Sequence, residues 1–164
     1  MIVALIKKVA LALSNNARFY YGESWENNIF ADEVKLPIVF LDAPVRGKDR
    51  ILASGNVETT YDVILFFFDK SNLDDLQPDR AAVLASQYAA KREFIIRLQN
   101  EKDVNEILAG ETTELYNVFN RNVDGIQLKL KLTWTDARPV CLDKWLIDKD
   151  GNYVLDQNGN KIKA

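Results

Sequence analysis

Apolar and polar positions follow two rhythms along this chain. The clearest is a period of two over Gly125–Thr135. There Ile126, Leu128, Leu130, Leu132 and Trp134 fall on one side, and Gln127, Lys129, Lys131, Thr133 and Thr135 on the other. Successive side chains of a strand point to opposite faces, so this run predicts a β-strand with one dry and one wet face. A slip of one residue would bury Lys129 and Lys131, which fixes the register. The lysines either solvate an ordinary wet face or, on an edge strand, guard against unwanted pairing. Val57–Phe68 begins with alternation and ends in the continuous apolar run Val63–Phe68, the pattern of a strand covered on both faces. Shorter strand-like runs occupy Ala17–Trp25, where Arg18, Phe19, Tyr20 and Tyr21 precede Gly22, and Leu36–Asp42, with Pro37 near its start.

The second rhythm is helical. Ile2, Leu5, Ile6, Val9 and Leu13 share one face of a helix predicted over Ile2–Ser14, with Asn15 and Asn16 as terminators. Val3 and Leu11 fall outside that stripe. Either the stripe is wide and buried in the chain's own core, or the surplus meets a partner. Pro78 opens the second helix, predicted to run to Asn100. Ala81, Leu84, Tyr88, Ile95 and Leu98 form its apolar stripe, with Ser86, Glu93 and Arg97 opposite and the Lys91 stem laid along the apolar side. Asp103 with Glu106 has capping-box spacing and predicts a short helix closing at Gly110. Glu114–Asn120 and Gly125–Thr135 predict a hairpin turning around Asn122–Gly125.

Two stretches read as connections. Ala43–Asn56 holds Pro44, Gly47 and Gly55 and is predicted as a polar loop carrying Arg46, Lys48 and Arg50. Those cations are solvated, or they touch a partner's acids or a phosphate backbone. Asp69–Gln77 is a polar break. After residue 136 the chain repeats itself: DKDGNYVL at Asp148–Leu155 and DQNGNKIK at Asp156–Lys163 each set an Asp/Asn-Gly-Asn turn before a short β run. With Lys144–Ile147 they predict a three-stranded meander over 137–164. It is an extension of the domain at 1–136 and too poor in apolar residues to fold alone.

Composition narrows the functional classes. A chain of 164 residues, 48% hydrophobic and 27% charged, is one folded domain. A net charge of −3 gives no basic footprint for nucleic acid. The chain contains no histidine, which removes the Ser-His-Asp and Cys-His nucleophile arrangements and histidine-based zinc sites. A single cysteine, Cys141, cannot form an internal disulfide and suits a reducing compartment as a small hydrophobe. Lys7 and Lys8 interrupt the apolar start in its middle, so it reads as a helix of the mature protein and neither a signal peptide nor a membrane span.

Candidate chemistry is sparse. Asp148, Asp150 and Asn152 alternate as calcium ligands do, but the positions that need glycine and glutamate hold Tyr153 and Gly159. Gly47-Lys48 lacks the upstream glycine and following hydroxyl of a phosphate loop. Asp74 and Asp75 precede a helix start, where acids complement the dipole. No residue is assigned a catalytic, cofactor-binding or metal-ligating role.

The expected fold is α+β: a mainly antiparallel sheet packed on one face against the N-terminal and central helices, with a C-terminal β-hairpin extension. This layout resembles the tail-terminator or tail-completion proteins of tailed bacteriophages and their neck-ring relatives. The resemblance spans Ile2 to Asp136. It rests on the helix Ile2–Ser14, the strand ETTYDVILFFF at Glu58–Phe68, the helix Pro78–Asn100 and the strand GIQLKLKLTWTD at Gly125–Asp136. It implies a virion protein of the neck or tail, assembled in the host cytoplasm as a ring of six or twelve copies. Its neighbours would be neck, portal or tail proteins, with passive contact with packaged DNA and with neither cofactor nor membrane. The octet repeat departs from the simple pattern and would be an arm to a neighbouring ring. Val3, Leu11, Arg46, Lys48 and Arg50 are then the candidate interface residues. Two other readings stand beside this one: a free protein-binding adaptor, and a histidine-free enzyme using carboxylates or Lys91.

Overall fold

The computed structural model describes residues 2–23, 35–53, 56–71, 78–102, 104–116, 118 and 122–136. The octet repeat, Cys141, Asp74, Asp75 and Asp103 lie outside the described residues. In chain order the elements are α1 (Ile2–Leu11), β1 (Arg18–Gly22), β2 (Ile38–Asp42), β3 (Arg46–Ile51), β4 (Val57–Lys70), α2 (Pro78–Gln99), β5 (Val104–Leu115) and β6 (Val123–Asp136).

The first helix forms where expected. Ile2, Leu5, Ile6, Val9, Ala10 and Leu13 are buried, and the chain leaves the helix through Asn16 with φ at 55°. Asparagine tolerates that left-handed conformation better than most residues. The Asn15 side chain accepts a hydrogen bond from the Ala17 amide at 3.2 Å, which turns the chain into β1.

Among the described residues the strands make one six-stranded sheet in the order β1-β2-β4-β6-β5, with β3 also paired to β4. Only β1 and β2 run parallel; the other pairings are antiparallel. β2 and β3 follow one another along the same edge of β4, β2 opposite Leu65–Phe68 and β3 opposite Val57–Asp62. Ala43–Val45 is the break between them. The other edge of β4 pairs along its whole length with β6.

Both helices cover one face. The main core gathers residues of α1 and α2 with Val39, Leu41, Val63, Leu65, Phe67, Leu128, Leu130, Leu132 and Trp134. Phe67 and Phe94 meet edge to face at 5.8 Å. On the opposite face a smaller cluster joins Ile38, Phe68 and Val123, with Phe66 stacked on Phe68 at 5.6 Å. The continuous apolar run of β4 thus serves two cores, one on each face, as its pattern predicts. The period-two pattern of β6 holds too: Ile126, Leu128, Leu130, Leu132 and Trp134 are buried while Lys129 and Lys131 are exposed.

Five expectations are corrected, the last in part. Ala43–Asn56 contains a strand, β3, whose charged residues gain nothing by burial and are ordered through the β4 ladder. The short helix expected to close at Gly110 does not form: Val104–Leu115 is strand β5, because pairing with β6 overrides a local helical preference. The hairpin is real, but its first arm starts at Val104, and Val123–Gly125 belong to β6 instead of the turn. Lys129 and Lys131 cannot be edge protection, since β6 lies between β4 and β5. The stripe of α2 holds in part: Leu84, Tyr88, Ile95 and Leu98 pack on the main core, Gln87, Ala90 and Phe94 are buried beside them, and Ala81 is exposed.

Candidate interaction surface

The predicted site residues do not gather in one place. Val3 is half-buried and packs on the main core, so it belongs to the chain's own interior. Leu11, at the end of α1, is 53% exposed. Its helix end is tied to α2 at either side: Lys8 Nζ lies 2.7 Å from Glu101 Oε2, and the Ser14 hydroxyl donates to Glu93 Oε2 at 2.6 Å. Arg97 pairs with the same Glu93 at 2.8 Å. These bonds hold the Glu93 carboxyl below the ordinary carboxylate range, the Ser14 hydroxyl being the largest cause.

Arg46, Lys48 and Arg50 come together as a row. They stand at alternate positions of β3, opposite Asp62, Thr60 and Glu58 of β4. Their face is the one turned away from the helices, because Tyr61, which packs on the main core, lies over the alternate residue Gly47. A Cβ added to Gly47 would come within 2.8 Å of the Tyr61 ring, so glycine lets that ring cover the strand. The Thr59 hydroxyl donates to Asp49 at 2.7 Å on the same covered side. All three cations are exposed, and none lies within ion-pair distance of an acid among the described residues.

The outer face continues across the sheet. Asp62 lies 3.8 Å from Lys131, and Lys129 lies 3.0 Å from Glu111. Two shallow hollows share Asp62 and Ile64. One, of about 340 Å³, runs over Leu108, Gly110, Lys129 and Lys131; the other, of about 350 Å³, runs toward Asp42, Pro44 and Arg46. Their floor is apolar and their rims are charged. The carboxyl that burial pushes upward, Asp69, lines neither hollow. Lys91 is half-buried, donating to the Thr112 hydroxyl at 3.2 Å with its Nζ 4.7 Å from the Tyr88 ring centre, so its stem snorkels as expected.

Sequence reasoning missed the far edge. β5 carries Glu106, Glu111 and Glu114 and no lysine or arginine. Glu106 shares the outer face with Leu108, since they pair with Thr133 and Lys131. In the half of the sheet ordered β3-β4-β6-β5, the outermost strands are therefore a basic one and an acidic one. The signal was present in the charges of the two segments, but it becomes meaningful only once both are strands. No protein-family model matches the chain, and no curated protein does either. Among the described residues no helix is long and apolar enough to cross a membrane.

Proposed function

We propose that this chain is a structural subunit of a bacteriophage head-tail connector or tail-end ring, acting by assembly and without catalysis. One observation carries the reading: among the described residues the β3-β4-β6-β5 half of the sheet is bounded by two unlike edge strands, β3 and β5, each paired on one side only, while the helices are confined to one face. A subunit with two unlike edges associates head to tail, and such heterologous contacts close into rings when the rotation permits. The element order, a helix, strands, a long helix and a closing hairpin, agrees with the terminator-like layout. Copies of the chain, six or twelve, would be its first partners, followed by portal, neck or tail proteins. The cations of β3 would orient the subunit more than hold it.

Mass spectrometry of purified particles from the virus encoding the chain tests this. The protein should be recovered in stoichiometric multiples of a ring; its absence from infectious particles would end the proposal. The free adaptor is the second reading, favoured by the hollow floored by Ile64 and Leu108. It predicts a soluble partner of defined stoichiometry and no association with particles.

A further inference from the structure

We infer that neighbouring copies join strand to strand, the basic edge β3 of one lying along the acidic edge β5 of the next. The inference rests on the ring reading and specifies its contact. β3 presents Arg46, Lys48 and Arg50 on the outer face, all without ion-pair partners among the described residues. On β5, Glu106 is exposed on that same face, and among the described residues it has no ion-pair partner and Glu111 reaches one lysine. Each edge also exposes one large apolar side chain, Leu108 at 52% on the outer face and Ile51 at 77% on the opposite face, so each would cover its own side of the joined strands. Neither strand contains proline, so no backbone donor is missing from either edge.

Direction agrees as well. β3 is antiparallel to β4, β4 to β6 and β6 to β5, so β3 runs antiparallel to β5 within one copy. A neighbour generated by rotation about an axis along the strands keeps that sense, and the new pair continues the antiparallel ladder. Glu106–Ala109 is the regular stretch between the two register shifts of β5, and it offers the straight run that β3 can meet. Charge on an edge ordinarily repels an incoming strand. Here the same charge repels a second β3 and admits β5, which makes the contact head to tail.

The test uses the full chain. Zero-length carbodiimide cross-linking of an equal mixture of light- and heavy-isotope copies should join Lys48 to Glu106 between copies. A variant with Lys48→Glu and Arg50→Glu, and another with Glu106→Lys and Glu111→Lys, should each need at least tenfold higher concentration to associate in light scattering. Mixing the two should restore association, because each reversed edge then meets its complement. Circular dichroism and thermal melting check that both variants fold. Association with cross-links elsewhere and no rescue on mixing would overturn this contact and leave the ring standing. A chain that stays monomeric at every concentration, with no cross-links between copies, would also overturn it, whereas the ring itself stands or falls on recovery from particles.

Discussion

Gln87 is buried, and neither its amide nitrogen nor its amide oxygen has a hydrogen-bond partner among the described residues. Burying an amide without a partner costs about 1–3 kcal/mol in proteins. Gln87→Leu is therefore expected to raise stability by about 1 kcal/mol, read as a higher urea midpoint at unchanged slope; a destabilised variant would point to a bonded amide. Gly125 is constrained differently. A Cβ there would sit 2.0 Å from the Phe67 carbonyl oxygen, a backbone atom that cannot step aside. Gly125→Ala should cost about 3 kcal/mol, and Gly47→Ala less, since the Tyr61 ring can rotate away. Glu93 gives the pH dependence. Its carboxyl titrates below the ordinary range when folded, so its contribution is full above the unfolded pKa and is lost as pH falls through the folded one. Ser14→Ala should move the Glu93 titration upward in carbon-detected NMR and flatten the acid limb of stability; an unmoved titration would mean that Ser14 does not hold the carboxylate.

At the scale of elements, legibility followed burial. α1, β4, α2 and β6 each carry an apolar periodicity that matches a real packing face, and the sequence predicts all of them. The two strands it misses bury little. β3 has a period of two only in its charges, Arg46, Lys48 and Arg50 against Gly47, Asp49 and Ile51, and nothing local separates that from a solvated loop. β5 has its alternation broken by register shifts between Val104 and Glu106 and between Ala109 and Thr112, and Asn-Glu-Ile-Leu-Ala within it is locally helix-compatible. Pairing with β6 decides against the helix, which no local window reveals. The α2 stripe was legible at Leu84, Tyr88, Ile95 and Leu98 but missed Gln87, a polar residue on the inner side where an apolar count does not look. If β5 is a strand, Ile107 packs on the main core and Leu108 faces outward. Ile107→Ala should then cost about 2 kcal/mol and Leu108→Ala about 0.5 kcal/mol or less in denaturant melts. Similar losses at the two positions would argue against that alternation.

At the scale of the molecule, the sheet is finished on one face and unfinished at its sides. The helices and the main core account for the inner face, and the small Ile38–Phe68–Val123 cluster covers one end of the outer face. What is left open is the charged β3–β5 half of the sheet, with Leu108 exposed and Ile64 half-buried among ions. The sequence marks Arg46, Lys48 and Arg50 as interface candidates but not the acidic edge that faces away from them, because the basic and acidic segments lie more than fifty residues apart and become opposite edges only when β4 and β6 are inserted between them. Leu11, singled out from helical spacing alone, remains exposed on the helix layer, away from that open face, and would meet a different neighbour. The most direct measurement is cryo-electron microscopy of purified particles. The density should show a closed ring at the head-tail junction or tail end whose subunits match this sheet and helix layer. A fully traced junction and tail end, with every ring assigned to other chains, would contradict the account.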